Sequence, residues 1–257
     1  MIFETHAHYE DKAFDEDRED ILNSLPKHNI EYVVNVSSSV GTVDQCLNLA
    51  EAYDYIYATV GIHPGDTMNL DEETFIWLKK KAKHKKVVAV GEIGLDYYWD
   101  TPDREIQKKW FARQMEMARE LNLPLVIHSR DAANDTYNMM KEAKADELGA
   151  ILHCFGYGVE QARQYLNMGF YLGIGGVVTF TNGKKLKEVV EYAPLEQLVL
   201  ETDCPYLAPV PHRGKRNSSL YLPLIVQEIA RIKNTDYDIV IRITNENAKK
   251  FYFKTKG

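Results

Sequence analysis

Cysteine is scarce in this chain: only Cys46, Cys154 and Cys204 occur among its 257 residues, and none of them forms a Cys-x-x-Cys pair. Three cysteines cannot all pair within one chain, so a disulfide framework is excluded and free thiols in a reducing compartment are expected. The chain also lacks a long apolar run and a basic, apolar leader at its start. We therefore predict a cytoplasmic protein that does not span a membrane.

Positive charge is not in excess either. The chain carries 31 Lys and Arg residues against 38 Asp and Glu residues, which gives a formal net charge of -7 at pH 7. A protein that coats nucleic acid without regard to sequence needs many cationic groups to neutralise phosphates, and this charge balance argues against that class. Any contact with a polyanion must then be local, with basic residues gathered around one site.

Low-complexity tracts, internal repeats and domain linkers are also missing. Hydrophobic residues make up 45% of the chain and charged residues 27%, which is typical of a globular protein with a sizeable core. Barrels built from alternating strands and helices commonly occupy about 250 residues as one unit. We therefore expect residues 1–257 to form a single domain.

Short runs of β-forming residues alternate with helical patterns along the whole chain. This alternation is typical of repeated βα units and a parallel sheet, and eight units favour a closed TIM-type (β/α)8 barrel, although counting alone leaves an open doubly wound sheet possible. The predicted strands are Ile2 to His6, Tyr32 to Val36, Ile56 to Gly61, Val87 to Ile93, Leu125 to His128, Ala150 to His153, Phe170 to Gly173, and Leu198 to Glu201.

The segments between the strands have apolar residues at helical spacing, and several follow a residue that caps helices. Ser39 and Asp71 precede two of them, and Thr244 with Asn245 gives a cap signal ahead of a last short helix. The predicted helices include Val40 to Tyr53, Glu72 to Lys83, Arg104 to Leu121, Leu220 to Lys233, and Ala248 to Tyr252.

Polar residues follow the predicted strands with a regularity that composition does not explain. In a barrel the carboxyl ends of all strands meet on one rim, where the active sites of this fold lie. We therefore expect these side chains to converge there: His6, His8, His63, Glu92, His128, His153 and Asp203.

His6 and His8 are two residues apart, so on an extended strand they project to the same side and are able to hold one metal ion. The alternative for such a pair alone is an ordinary surface or core position. Asp203 at the end of the eighth strand is a candidate ligand of the same ion and the candidate base that takes a proton from a water molecule. Besides this pair, four other strand ends carry residue types that bind metals, and they favour the metal site: Glu92, His128, His153 and Asp203.

Glu92 interrupts a strand of buried character between two glycines. Because burying an unpaired carboxylate is costly, a cationic partner is expected, either a Lys or Arg in a structural ion pair or a metal ion. A carboxylate is able to bridge two metals, with His128 and His153 completing the second site, so Glu92 is a predicted catalytic residue with Asp203. Imidazole and carboxylate ligands suit Zn, Mn, Co or Ni, whereas Mg prefers oxygen, and metal identity stays open.

Other polar residues near the same rim are candidates for supporting roles. Glu4 and Glu201 share strand parity with the proposed ligands and are expected to orient imidazoles, or else to pair with a Lys or Arg inside the barrel. Basic residues able to bind a phosphate are His63, Arg130, His212 and Arg213, with Lys215 and Arg216 as further members of the last loop. A solvated basic loop is the alternative for that last group.

The motifs as a set resemble the TatD family of metal-dependent deoxyribonucleases, within the amidohydrolase superfamily. They arrive in the order of that family and span nearly the whole chain: Thr-His-Ala-His, Gly-Ile-His-Pro, Gly-Glu-Ile-Gly-Leu-Asp-Tyr-Tyr, Leu-Val-Ile-His-Ser-Arg-Asp-Ala, His-Cys-Phe, Glu-Thr-Asp-Cys-Pro-Tyr-Leu-Ala-Pro and His-Arg-Gly-Lys-Arg-Asn. One departure is Glu4, where the family usually has Asp.

The resemblance implies a (β/α)8 barrel with two divalent ions held by His6, His8, Glu92, His128, His153 and Asp203. It also implies hydrolysis of phosphodiester bonds, often from the 3′ end of DNA and in some members RNA, with Mg or another divalent ion. His63, Arg130 and Arg213 correspond to substrate contacts. We further expect a monomer with no obligate protein partner.

Two alternatives stay open. A cousin in the same superfamily opens amides, lactones or phosphoesters of small molecules, and many such enzymes hold their metals with a modified lysine where this chain has Glu92. A non-catalytic binding protein on the same barrel is a different class, against which the complete ligand set argues.

Overall fold

A computed structural model describes residues 1–99 and 101–253. Eight strands form a single sheet in the order β1 to β8, and every neighbouring pair is parallel. The prediction of a TIM-type barrel in a single domain is confirmed. The strands are β1 (Ile2–Ala7), β2 (Ile30–Asn35), β3 (Ile56–Val60), β4 (Val87–Asp96), β5 (Leu125–Arg130), β6 (Ala150–Leu152), β7 (Tyr171–Ile174) and β8 (Leu198–Leu200).

The barrel is joined between β1 and the segment that follows β8. Ala7 forms an isolated parallel bridge with Cys204. The His8 amide donates to the Cys204 carbonyl at 2.9 Å, and the Asp203 amide donates to the His6 carbonyl at 3.0 Å. This joint brings Asp203 beside two histidines that lie almost 200 residues earlier in the chain.

Helices follow the strands and cover the outside of the sheet. They are α1 (Arg18–Ser24), α2 (Val40–Ala52), α3 (Glu72–Lys81), α4 (Arg104–Leu121), α5 (Ala133–Glu142), α6 (Val159–Asn167), α7 (Lys184–Tyr192), α8 (Leu222–Lys233) and α9 (Tyr237–Tyr252). The predicted caps precede α2 and α3: Ser39 donates its amide to Thr42 Oγ1 at 3.0 Å, and Asp71 accepts from the Thr74 amide at 2.8 Å.

The predicted start of the last helix is wrong. Helix α9 begins at Tyr237 after Asp236, seven residues before the expected cap. The Thr244 hydroxyl donates to the Val240 carbonyl at 2.7 Å within the helix, and the Asn245 amide group donates to the Met1 carbonyl at 3.0 Å. Thr and Asn often cap helices. Here the Thr244 side chain bonds within the helix and the Asn245 side chain reaches Met1, so neither binds the free backbone amides of a helix start.

Side chains from six strands meet in one apolar cluster, which is possible only inside the barrel. The cluster is closed by Phe251 and Tyr252 of α9, and the Tyr252 hydroxyl donates to the Thr5 carbonyl at 2.8 Å. Aromatic residues near the starts of strands border it, so α9 closes the end of the barrel opposite the strand carboxyl ends. The strand members are Phe3, Val34, Val88, Val126, Ile151 and Val199.

Candidate active site

The carboxyl ends of the strands surround an open pocket of about 950 Å³. His6 lies buried beneath this pocket, against its lining. The structure therefore brings the strand-end residues together at one rim, as the sequence analysis expected. The lining of the pocket contains seven of the predicted site residues: His8, His63, Glu92, His128, Arg130, His153 and Asp203.

His6, His8 and Asp203 form one half of the site. The Nε2 atoms of the two imidazoles face each other at 3.1 Å, and Asp203 Oδ1 lies 3.4 Å from His8 Nε2 and 3.8 Å from His6 Nε2. His8 Nδ1 lies 2.8 Å from the Val36 carbonyl and donates to it, so Nε2 is the nitrogen that faces His6 and Asp203. Two nitrogens and one carboxylate oxygen therefore converge on one point.

Glu92 divides its two oxygens between the halves of the site. Oε2 lies 3.3 Å from His6 Nε2, and Oε1 lies 2.8 Å from His128 Nδ1 and 3.3 Å from His153 Nε2. His63 Nε2 is also 3.9 Å from Oε1. The second half of the site is therefore formed by Glu92 Oε1 with the imidazoles of His128, His153 and His63.

Glycines on the same strand allow Glu92 to sit where it does. A Cβ atom on Gly91 would lie 2.5 Å from the Val126 Cβ, and Gly94 has a φ of +144°, a backbone conformation that favours glycine. β4 therefore approaches β5 more closely than side chains would permit. This spacing brings Glu92 to the imidazole of His128.

The buried carboxylates of the site are ionised. Desolvation acts to raise the pKa of Glu92, but the charge of His153 and hydrogen bonds with His128 and His6 hold that pKa well below its usual range. Desolvation is likewise outweighed at Asp203, where the hydrogen bond with His8 lowers the pKa. Two negative charges in one buried cluster create a strong demand for cations.

The imidazoles respond in opposite directions. Desolvation lowers the pKa of His153, but Glu92 and Glu201 outweigh it and raise that pKa to about 9. Burial, followed by the charge of His128, lowers the pKa of His63 to about 4. In the protein alone the carboxylates are therefore balanced by protons on imidazoles such as His153, and a bound cation would replace those protons.

Asp96 belongs to the site and was missed in the sequence analysis. Its Oδ2 lies 3.1 Å from His128 Nε2, while its Oδ1 accepts from the backbone amides of Tyr98 at 2.9 Å and Trp99 at 3.3 Å. The signal was available, because Asp96 lies in the same motif as Glu92, four residues on and with the same strand parity. The predicted strand stopped at Ile93, whereas β4 continues to Asp96.

Glu10 is a second acid that sequence reasoning did not find. It is buried, lies 3.4 Å from His8 Nδ1, and accepts from the Asn35 side chain at 2.7 Å. Glu10 follows β1 in an irregular segment, where strand parity no longer predicts direction. Glu10 continues the two-residue spacing of His6 and His8, but β1 ends at Ala7, before either His8 or Glu10.

Glu201 and Glu4 lie close to the proposed ligands in different ways. Glu201 Oε1 is 3.4 Å from His153 Nδ1 and accepts from the Cys154 amide at 2.5 Å. Glu4 accepts from the His6 backbone amide at 3.2 Å and from the Ser219 hydroxyl at 2.9 Å, and does not face an imidazole. The register of β1 shifts between Glu4 and Ala7, which breaks the parity that linked Glu4 to His6.

The predicted basic residues separate into two groups. His63 and Arg130 line the pocket, whereas the described pocket lining does not include His212 and Arg213. The His212 ring stacks on Tyr221 at 4.1 Å, and the Arg213 guanidinium lies 3.9 Å from the Phe180 ring centre. Arg216 pairs with Asp17 at 2.5 Å, away from the pocket.

The donor set fits divalent cations. The ligand atoms of His6, His8 and Asp203 lie within 4.8 Å of one another, as do those of His63, Glu92 and His128. His6 Nδ1 and His153 Nδ1 are buried without a hydrogen-bond partner. Imidazole nitrogens and carboxylates that converge on common points are typical of a metal site.

The barrel and this cluster together define a class, the metal-dependent hydrolases built on a (β/α)8 barrel. The family model described as TatD related DNase matches residues 3–253. The chain belongs to that family.

Relatives in sequence agree with this assignment. The chain is 43% identical over 252 residues to the uncharacterized metal-dependent hydrolase YabD of Bacillus subtilis, covering 98% of this chain and 99% of the relative. It is 30% identical over 257 residues to the 3′-5′ ssDNA/RNA exonuclease TatD of Salmonella typhimurium, covering 98% of each. The chain is a metal-dependent hydrolase, so the alternative of a non-catalytic binding protein is set aside.

Solved structures show the same architecture. YJJV, a TatD homolog from Escherichia coli, superposes with a TM-score of 0.92 at 26% identity over 98% of each chain. A lactonase from Listeria monocytogenes reaches a TM-score of 0.67 at 14% identity, covering 99% of this chain and 95% of its own, and that likeness concerns the fold alone. The small-molecule alternative therefore has only fold similarity in its favour.

No helix in the described parts of the chain is both long and apolar enough to cross a membrane.

Proposed function

We propose that the chain hydrolyses phosphodiester bonds of DNA, and also of RNA, and removes nucleotides from the 3′ end with two divalent ions. The observation that carries this proposal is Glu92, whose two oxygens face different sets of imidazoles at 2.8 to 3.3 Å. A carboxylate placed in this way is suited to bridge two ions. The name of the Salmonella relative supports nucleic acid as the substrate class.

The ions would be held by residues of this chain alone. His6, His8 and Asp203 would hold the first, His128 and His153 the second, and Glu92 both. When bound, divalent ions polarise the phosphoryl group and make a water molecule acidic at neutral pH. The nitrogen-rich donor set favours Mn, Zn, Co or Ni, and Mg is the test of that preference.

Asp203 is proposed to act as the base. Its carboxylate is ionised and lines the pocket beside His8, where the oxygen that does not face the imidazoles is able to accept the proton of an attacking water. His63 and Arg130 line the same pocket and would face the phosphate oxygens. Glu201 would hold the ring of His153, whose Nδ1 lies 3.4 Å from its carboxylate.

We also propose that the chain acts as a monomer in the cytoplasm without an obligate partner. All six proposed ligands come from one chain, so a second copy is not needed to complete the site. The three cysteines are free thiols, which suits a reducing compartment.

The test is the length of the products formed from single-stranded DNA labelled at its 5′ end, with Mg, Mn, Zn, Co, Ni or a chelator present. We expect a ladder that shortens one nucleotide at a time with a divalent ion and no product with chelator. A 3′-labelled copy should release a labelled mononucleotide first. Hydrolysis of small lactones, amides or esters without any cleavage of oligonucleotides would contradict the proposal.

A further inference from the structure

Two large aromatic side chains stand in solvent directly after β4. Tyr98 is 54% exposed and Trp99 is 68% exposed, and Trp99 lines the pocket. Their rings lie edge to face, with centres 5.0 Å apart. Exposed aromatic residues at the mouth of a polar pocket are unusual for a monomer surface and indicate a binding contact.

The segment that carries these rings is fixed to the site. The Asp96 carboxylate accepts from the backbone amides of Tyr98 and Trp99 with one oxygen, and its other oxygen faces His128. One side chain therefore sets both the position of a proposed ligand and the direction of the aromatic segment. The backbone that carries the Trp99 ring is therefore anchored at the rim of the pocket.

A cation lies next to the rings on the same wall. The Arg130 guanidinium is 3.8 Å from the Tyr98 ring centre and 6.0 Å from that of Trp99. Within the described residues Arg130 contacts these two rings and forms no ion pair with a carboxylate, so its N–H donors are able to bind a phosphate. An aromatic face beside a free guanidinium is the combination that binds single-stranded nucleic acids.

We infer that Trp99 stacks on an unpaired terminal base of the substrate while Arg130 binds the neighbouring phosphate, so that this rim selects single-stranded ends. The inference rests on the proposed function and adds the residue that determines specificity. The terminal base of a duplex is held by its pairing partner and by the base pair beneath it, so it turns toward the ring only after unpairing. An aromatic face accepts every base, so selection depends on strand state and not on sequence.

The test compares two ten-nucleotide DNA substrates that differ only in their 3′-terminal unit, thymidine or an abasic tetrahydrofuran. The measured quantity is the ratio of kcat/KM for the two substrates. We expect the wild-type protein to prefer the base-bearing end by about ten-fold, as one stacking contact provides. Trp99→Phe should keep most of this preference, and Trp99→Leu should lose it, because leucine is apolar but has no aromatic face.

Tyr192→Leu is the matched control, since Tyr192 is also an exposed aromatic residue, 49% exposed, but lies on α7 outside the pocket. It should leave the ratio unchanged. Tryptophan fluorescence gives a reading independent of turnover: the thymidine oligonucleotide should quench the wild-type protein and quench Trp99→Phe far less.

The two proposals fail in different ways. If the wild-type protein cleaves no oligonucleotide, the proposed function is wrong. If it cleaves both substrates and the ratio in Trp99→Leu equals that of the wild type, the nuclease stands and the stacking role of Trp99 is overturned. The stacking role would also be overturned if the oligonucleotide quenched Trp99→Phe as strongly as it quenched Tyr192→Leu.

Discussion

Asp203 shows how much a single residue combines at the mouth of this barrel. Its φ is +58°, in the left-handed region, which aspartate enters more readily than most residues with a side chain. This conformation turns the chain sharply after β8 and directs the carboxylate toward His8. Burial would favour the neutral acid, yet the neighbouring imidazoles keep the pKa of Asp203 low.

The substitution Asp203→Asn removes the proposed base and keeps its size. We expect kcat on single-stranded DNA to fall by at least about 100-fold, because a positioned base typically contributes that much or more. The thermal midpoint with chelator present should stay close to that of the wild type, which separates lost chemistry from lost folding. Cleavage at a near wild-type rate would remove Asp203 from this role.

At the scale of the strands, β7 leaves room for the carboxylate of Glu201, the residue directly after β8. A Cβ atom built on Gly173 would collide with the Glu201 carboxylate, which holds the Cys154 amide and faces His153. Only a residue without a side chain lets this acid lie between the strands. Gly173 thereby connects the packing of the sheet to the proposed site.

Gly173→Ala should destabilise the protein by about 1–3 kcal/mol, because the added methyl group forces a buried acid to move. Urea unfolding at pH 7 measures the change. Gly156→Ala is the control, since its Cβ would meet only the Cys154 carbonyl at an ordinary 3.7 Å. Equal stability of the two variants would show that Glu201 moves aside at little cost.

Helices α7 and α8 are joined by a charge cluster on the outside of the barrel. Glu228 accepts two hydrogen bonds from Arg231, each 2.9 Å, and lies 3.0 Å from Lys187 of α7. The bond with Arg231 is the main reason that the pKa of Glu228 falls from 4.5 to about 2, with desolvation acting in the opposite sense. The folded state therefore prefers the ionised form of Glu228.

Because this pKa is depressed on folding, the stabilisation is present above about pH 4.5 and is lost as the pH falls toward 2. Solvent reduces it to about 1 kcal/mol, since Arg231 is largely exposed. Glu228→Gln should be less stable than the wild type by that amount in urea at pH 7, with a gap that shrinks below pH 4.5. Glu246→Gln, in an exposed pair with Arg242, should differ little at any pH. A gap for Glu228→Gln that is constant from pH 7 to pH 3 would contradict this account.

Element boundaries show where sequence patterns stop being informative. The eight strands follow from alternation, and α4 was predicted over its full length from Arg104 to Leu121. The start of α9 was not predicted correctly. Thr244 is a residue type that caps helices, but here its hydroxyl bonds to the Val240 carbonyl inside a helix that is stabilised by packing. The extension of β4 to Asp96 escaped for a related reason, since Tyr97 and Asp96 look like the start of a loop.

For the whole molecule, the sequence pattern predicted which residues would meet but not how their side chains face one another. Convergence of His6, Glu92 and Asp203 follows from the geometry of any barrel. The division of Glu92 between two groups of imidazoles depends on how closely β4 and β5 approach. The position of Glu10 depends on an irregular segment that follows β1. Neither is encoded in a local pattern.

Removal of divalent ions should lower the stability of the entire barrel. Ions bound only by the folded state, at about 100 times the Kd, add about 2.7 kcal/mol, which corresponds to a rise in Tm of about 5–10 °C for a domain of this size. Scanning calorimetry after chelation and after restoring Mn or Zn measures the shift. Asp203→Asn should show a smaller rise. A Tm that does not respond to any of the divalent ions would contradict a metal centre in this cluster.

The joint between β1 and the segment after β8 also sets when the protein becomes active during its synthesis. His6 and His8 leave the ribosome first, whereas the carboxylate that faces them, Asp203, is translated about 195 residues later. A nascent or prematurely terminated chain therefore carries the imidazole pair without its acid and cannot assemble the centre. The proposed activity would therefore arise only after the segment that follows the last strand has left the ribosome.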